Sequence, residues 1–381
     1  MEKKKDKADV RLEQLRKAMG IQDDTIRRAD QHVAIKDVIS TGHADLDSIC
    51  TPMIWEKEKR GGIPRGFVCE FYGPYAGGKS ALCMKLAAQV TKMGDYVLWV
   101  DAESSYIPER AAQFGVDNTK VIYMEGGKHG EFYLERIEEA ARTGHVALIV
   151  VDSVTNLQPK DIFEGDLEKD PPMARFARMM SRSMPRVVSA AREGNTAVVF
   201  INQIREKVGI MYGNPETTPG GKALLHAASL RLRISQVGSK ADRGIMKEGE
   251  EIGIRSNVLL SKSRFGPPFK EAVMPIYYTN VKPHPLDMMI DASLQNKIIK
   301  SRSKKLDNGE LVHTFSFSDM RGVGIDEFKE NLNPVKIKEM AKLLIAEKFV
   351  IDAECQEYLD GLDLLISTSA SSEAGEGDPG E

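Results

Sequence analysis

The residues best suited to chemistry lie in "GPYAGGKS", Gly73 to Ser80, which fits G-x-x-x-x-G-K-[ST]. The stretch follows an apolar run, "FVCEFY", and opens a helical one, "KSALCMKLAAQVTKMG". Between a strand and a helix, Gly73, Gly77 and Gly78 let the backbone curl so that its N–H groups face a phosphate, with Pro74, Tyr75 and Ala76 completing the loop. The helix N-terminus adds partial positive charge. Lys79 is expected to reach the β- and γ-phosphates of a nucleotide, and Ser80 to offer its hydroxyl to Mg2+. A second piece is "ALIVVDS", whose apolar run ends in Asp152. A carboxylate at the C-terminal tip of a buried strand stands where open α/β sheets bind ligands, and there it would hold Mg2+ through water. "WVDAESS" sets Asp101 and Glu103 at another strand tip. Hydrolysis needs one carboxylate to orient or deprotonate water, and the spacing leaves both as candidates. Gln203 closes "VVFINQ" and could sense a γ-phosphate by hydrogen bonding.

These tips need a sheet to hold them. "FVCEFY", "YVLWVDAE", "VALIVVDS" and "TAVVFINQ" are continuous apolar runs of strand length. They alternate with helical stretches such as "GEFYLERIEEAARTG" and "MARFARMMSRSMPRVVSAAREG". That alternation predicts an α/β fold with a mostly parallel sheet covered on both faces. "SLRLRISQV", "SNVLLSKSR" and "EAVMPIYY" follow with little helix between them and predict an antiparallel extension. Ahead of this core, residues 8–28 carry Val10, Leu15, Ala18 and Met19 at roughly helical spacing with Gly20 as a stop. A short strand, "HVAIKDVI", comes next, so residues 1–39 read as an N-terminal arm. Residues 40–286 read as the core, 287–351 as a small α/β piece, and 352–381 as an acidic, disordered tail.

The strand ending at Gln203 runs directly into "IREKVGIMYGNPETTPGG", which is too polar to form a core and long enough to be functional. Arg205 and Lys207 bring charge, Tyr212 can stack, and Gly209, Gly213, Gly220 and Gly221 free the backbone. Such a segment can wrap a phosphodiester backbone without reading bases. The net charge of −3 hides the relevant distribution. Nine of the 56 acidic residues and none of the 53 basic ones lie in Asp352–Glu381, so residues 1–351 carry +6. Four cysteines without metal spacing suit a reducing cytoplasm. The charged start "MEKKKDKADV" is not a signal peptide, and "VALIVV" is too short to span a bilayer.

"FINQIREKVGIMYGNPETTPGGKAL" closely resembles the second DNA-binding loop of the bacterial RecA recombinases. So, in the same order, do "STGHADLD", "YGPYAGGKS", "DAES", "IVVDSVTNLQPK", "EGDLEKDPPMARFARMMSRSM" and "KSRFGPPFKEA" in the corresponding family motifs. The resemblance spans roughly residues 34–285. It implies an ATP- and Mg2+-dependent recombinase that forms helical filaments on single-stranded DNA, pairs it with homologous double-stranded DNA and hydrolyses ATP when DNA is bound. It selects Glu103 as the catalytic carboxylate, with Lys79 and Gln203 beside it, and adds Ser153 to the nucleotide site. It implies DNA-binding loops near 163–173 and 204–222, with contacts at Met173, Arg178, Ser181, Val208, Gly220 and Gly221 besides Arg205, Lys207 and Tyr212. Lys262 and Arg264 match two lysines that reach the neighbouring subunit's ATP, and Tyr278 matches a position near the nucleotide. The family's adenine-stacking tyrosine is Arg110 here, and a nearby aspartate is Ile107. Two basic positions of the secondary DNA site are Asn257 and Leu259. Those departures leave two other readings open: an ATP-switched scaffold filament on DNA with weak strand exchange, and a ring-forming helicase.

Overall fold

The computed structural model describes the chain apart from residues 1–6, 22–25, 33, 59–60, 166–172, 207–215, 239–242, 248–249, 279–285, 287–288, 291–292, 294–297, 306–310, 324, 347–356 and 363–381. It divides into two compact units, residues 1–243 with 255–276, and residues 244–254 with 277–381.

In the first unit the apolar runs form β3 (Val68–Gly73), β4 (Val97–Asp101), β5 (Val121–Met124), β6 (Leu148–Asp152), β7 (Ala197–Gln203) and β10 (Leu230–Gln236). They pair in parallel in the order β10-β3-β7-β6-β4-β5. The antiparallel extension begins one strand later than "SLRLRISQV" implies: β10 pairs in parallel with β3, strand β12 (Glu250–Ser263) lies antiparallel to β10, and β13 (Glu271–Tyr277) pairs with β12. The register aligns the strand ends. Gly73 is level with Gln203, and Asp101 is level with Asp152, so four strand tips end along one edge.

Helices cover both faces. On α6 (Gly130–Thr143), Tyr133, Leu134, Ile137 and Ala141 recur on one stripe and are buried. His129 caps its start, Nδ1 accepting from the Phe132 N–H at 3.2 Å, and Gly144 ends it at a φ of 69°. Helix α8 (Met173–Gly194) is amphipathic through its internal Pro185 and buries Met180, Met184 and Val187 with Phe200 and Val100 of the sheet. Each such side chain contributes about 1.5–3 kcal/mol on burial. On α4 (Lys79–Lys92), Leu82, Leu86, Ala87 and Val90 are buried. Gly73 shows why the first loop residue must be glycine: a Cβ there would lie 1.9 Å from the Ile234 carbonyl oxygen of β10.

The front of the chain is less regular than its pattern implies. Helix α1 (Lys7–Ala18) stops short of Gly20, whose φ is 66°. The strand expected over "HVAIKDVI" shrinks to β1 (Val38–Ile39), which pairs antiparallel with β2 (Ile63–Pro64). Between them lie α2 (Ala44–Cys50) and α3 (Pro52–Glu58), and Ile39, Leu46 and Cys50 are fully buried. Asp47 fixes this turn by accepting from the Thr41 N–H at 2.7 Å, the Thr41 hydroxyl at 2.6 Å and the Ser40 hydroxyl at 2.5 Å.

In the second unit β11 (Gly244–Lys247) pairs antiparallel with the opening residues of β12. Strands β14 (Lys300–Lys305), β15 (Leu311–Phe317) and β16 (Met320–Val323) form an antiparallel sheet. Helices Ile325–Glu330 and Pro334–Ala346 follow, and Ile299, Phe317, Phe328, Met340 and Leu344 share a core. Most of the acidic tail lies outside the described residues.

Candidate nucleotide site and polynucleotide-facing surface

Helix α4 begins with no side-chain cap: Gly78 occupies its N-cap position at a φ of 100°. Its first N–H groups therefore point into the curl of residues 73–78, as an anion site requires. Pro74, Tyr75 and Ala76 are exposed, Tyr75 to 91%. Lys79 turns back over the loop, and its Nζ donates to the carbonyl oxygens of Gly73 at 3.2 Å and Pro74 at 2.7 Å. Burial pulls its pKa down, opposed by Asp152 and Glu103. Ser80, one residue on, donates from Oγ to Asp152 Oδ2 at 2.8 Å. Burial pushes Asp152 up to about 6; the Ser80 hydroxyl pulls the other way, and Glu103 and Asp101 add to the rise.

The two carboxylates at the tip of β4 divide cleanly. Asp101 is fully buried and accepts from the Ser105 N–H at 3.0 Å, the Tyr106 N–H at 2.8 Å and the Tyr123 hydroxyl at 3.1 Å. It holds the turn after the strand. Glu103 faces the opposite tips. Its Oε1 accepts from the Ser153 hydroxyl and, at 3.4 Å, from Gln203 Nε2. Its own N–H donates to the Asp152 carbonyl oxygen at 3.1 Å. Ser80, Glu103, Asp152, Ser153 and Gln203 thus form one hydrogen-bonded group at the strand tips, and Lys79 interacts with its Asp152 and Glu103 carboxylates through charge. Among the described residues no group of three or more His, Cys, Asp or Glu could enclose a metal by itself. A hydroxyl and a single carboxylate suit Mg2+, which keeps several waters and takes phosphate oxygens as ligands.

The other expected contacts are distributed more widely. Arg110, on α5 (Pro108–Gln113), lies with its guanidinium 5.5 Å from the Phe114 ring centroid. Tyr278 falls in the second unit, where its hydroxyl donates to Glu251 at 2.7 Å. Lys262 and Arg264 cap α9 (Gly221–Ala227): Lys262 Nζ donates to the Leu225 carbonyl oxygen at 2.6 Å, and Arg264 to that of His226 at 3.1 Å. Cations at a helix C-terminus are favoured there by its dipole.

The polar segment after Gln203 is rooted in a short ladder, β8 (Arg205–Glu206) with β9 (Glu216–Thr217). Arg233 on β10 grips the returning leg by a forked pair to Glu216 at 2.9 and 2.6 Å. Gly220 and Gly221 take φ of 102° and 61° at the start of α9, and a Cβ on Gly221 would sit 3.4 Å from the Ala177 Cβ of α8. On that helix Arg178 and Ser181, three residues apart, lie exposed on one side. Arg178 shares an open cleft of about 440 Å³ with Arg175, Arg182 and Lys160, the last at the start of α7 (Lys160–Phe163). Lys207, Val208, Tyr212 and the Met173 side chain lie outside the described residues, as does most of the expected 163–173 loop.

One group escaped the sequence reading altogether: Glu70, Asn202 and Arg231, buried between the phosphate loop and that returning leg. The only signal was a charged residue in the middle of "FVCEFY", an apolar strand.

The family model for the RecA N-terminal domain matches residues 7–281. Protein RecA of Thermus aquaticus is 42% identical over 242 residues, 64% of this chain and 67% of its own. Protein RecA of Acinetobacter baylyi is 36% identical over 302 residues, 79% of this chain and 81% of its own. Among solved structures, the crystal structure of the RadB recombinase shares 23% identity with a TM-score of 0.46, covering 63% of this chain and 97% of that one. With the family model spanning most of its length and a relative of 36% identity aligned over 79% of it, the chain belongs to the RecA family.

Proposed function

We propose that the chain acts as an ATP-dependent recombinase, a DNA-dependent ATPase that assembles on single-stranded DNA and exchanges strands with a homologous duplex. Family membership gives the activity class. The observation that carries the site assignment is the connected group at the strand tips, in which Glu103 meets both Ser153 and Gln203.

In this reading the uncapped start of α4 and the loop N–H groups hold the nucleotide's phosphates. Lys79 exchanges its carbonyl partners for the β- and γ-phosphate oxygens. Ser80 and Asp152 would hold Mg2+, which when bound neutralises phosphate charge and keeps the Asp152 carboxylate ionised. Glu103 orients water and accepts its proton, because Asp101 is already committed to the turn it holds. Gln203 is shared between that carboxylate and the start of the polar segment, so a change at the terminal phosphate alters where the segment begins. Arg110 takes the base side. Met173, Arg178, Ser181, Arg205, Lys207, Val208, Tyr212, Gly220 and Gly221 take the DNA backbone and bases. Lys262 and Arg264, which donate here to carbonyls of α9, serve the adjoining subunit's ATP in a filament of this chain. Among the described residues no helix is long and apolar enough to cross a membrane, and we place the protein in the cytoplasm.

The deciding experiment is ATP turnover with and without single-stranded DNA, run on the parent and on Glu103→Gln. The parent should accelerate at least tenfold on adding DNA. The variant should bind ATP and DNA while turning over about 10²- to 10⁴-fold more slowly. A variant that hydrolyses at the parental rate removes Glu103 from the reaction.

A further inference from the structure

A buried ion pair lies where none of the steps above uses it. Glu70 sits in the middle of β3, fully buried, three residues before the phosphate loop begins at Gly73. It is level with Arg231 on the neighbouring parallel strand β10, and Arg231 Nε donates to Glu70 Oε2 at 2.5 Å. The fully buried Asn202, on the other flanking strand, donates from Nδ2 to Glu70 Oε1 at 2.8 Å.

Each partner of Glu70 also reaches the returning leg of the polar segment. Asn202 Nδ2 donates to the Pro219 carbonyl oxygen at 2.8 Å, and Arg231 Nη2 to the Thr218 hydroxyl at 3.4 Å. Asn202 Oδ1 accepts the Gln203 N–H at 3.0 Å, which fixes the amide's orientation. The Arg231 guanidinium covers the Tyr72 ring at 4.4 Å, one residue from Gly73. Three side chains therefore tie the phosphate-loop strand, the outgoing root at Gln203 and the incoming root at Thr218–Pro219 into one body. The next two residues are Gly220 and Gly221.

Burying a carboxylate and a guanidinium costs several kcal/mol per ion before pairing, and well-packed apolar replacements of similar volume are often no less stable. Stability alone does not account for the charges. What apolar side chains could not supply is a defined bond to Pro219 and Thr218, and hence a single position for the returning leg. We propose that Glu70, Asn202 and Arg231 are positioning residues that hold this leg in register with the phosphate loop, so that nucleotide in the loop is felt as a change in the grip on polynucleotide. The inference rests on the function proposed above and names the residues that transmit it.

The test is the double variant Glu70→Leu/Arg231→Met, which removes both charges together. Anisotropy of a labelled oligo-dT, read with and without AMP-PNP and Mg2+, gives two dissociation constants whose ratio is the coupling factor. AMP-PNP binding is measured separately without DNA. The variant should keep AMP-PNP affinity within about threefold of the parent while its coupling factor falls at least about tenfold. A folded double variant with the parental coupling factor overturns the proposal. A parent whose oligo-dT affinity ignores AMP-PNP overturns the proposed function, and this inference with it. Should the double variant not fold, hydrogen exchange on the parent decides. Amides of residues 216–221 should gain protection on adding AMP-PNP and Mg2+ without DNA, and unchanged exchange there rejects the proposal.

Discussion

Two groups of buried charge lie in the same sheet, about half a strand apart along β3, and they are bonded in opposite ways. At the strand tips Lys79 rests on two main-chain carbonyls and Asp152 on one serine hydroxyl. All of these are neutral partners that a phosphate or a cation can replace. Within the sheet Glu70 has committed both oxygens, one to Arg231 and one to Asn202. Burial acts on the first group openly, lowering Lys79 and raising Asp152. A site for chemistry keeps its charges loosely matched and tolerates the electrostatic cost. A brace matches them inside the chain and gives up any ability to bind.

The sharpest way to break this contrast is to remove one charge from each group. Lys79→Ala should cut ATP turnover by about 10³-fold or more, since the cation acts where charge develops. Its melting temperature should stay within about 3 °C of the parent, because no matched partner is stranded. Glu70→Ala should do the reverse. Leaving Arg231 buried without its carboxylate should cost about 3–5 kcal/mol in urea unfolding. A loss below about 1 kcal/mol would make the two groups alike.

Asp47 tests a case between them, a buried carboxylate satisfied only by neutral donors. Burial holds it up to about 6, against the pull of the Ser40 and Thr41 hydrogen bonds. A raised carboxylate pKa in the folded state favours folding at low pH. This contribution is complete below about pH 4 and disappears as pH rises through about 6. Asp47→Asn should flatten the stability profile over that window by up to about 3 kcal/mol, and an unchanged slope between pH 4 and 7 would reject the assignment. The smallest effect is expected at the exposed surface. Arg178→Ala should weaken oligo-dT binding by about 1 kcal/mol and lower the slope of log affinity against log salt by about one. An unaltered slope would take Arg178 off the phosphate backbone.

What could be read from the sequence was whatever depends on near neighbours. "ALIVVDS" announces a buried strand with a carboxylate at its tip, because the apolar run and the Asp adjoin. The loop Gly73–Ser80 is legible for the same reason. Spacing alone leaves the choice between Asp101 and Glu103 to the family resemblance, since physically it turns on Tyr123 and Gln203, which come from other strands. Glu70 and Arg231 are 161 residues apart, and only the parallel register of β3 with β10 makes them neighbours. The short β1 has a related cause. "HVAIKDVI" has the composition of a strand, but among the described residues its only partner is the two-residue β2. The middle of the polar segment has no apolar pattern to read.

Gly73 has a consequence for how variation in this protein would be scored. The Ile234 carbonyl occupies the space where a side chain on Gly73 would go. Even alanine must push β10 aside while the sheet is forming. A survival screen would rank that position with the most intolerant in the phosphate loop and invite the conclusion that it touches ATP. Abundance measured alongside survival would show the defect arising at assembly, upstream of any ligand.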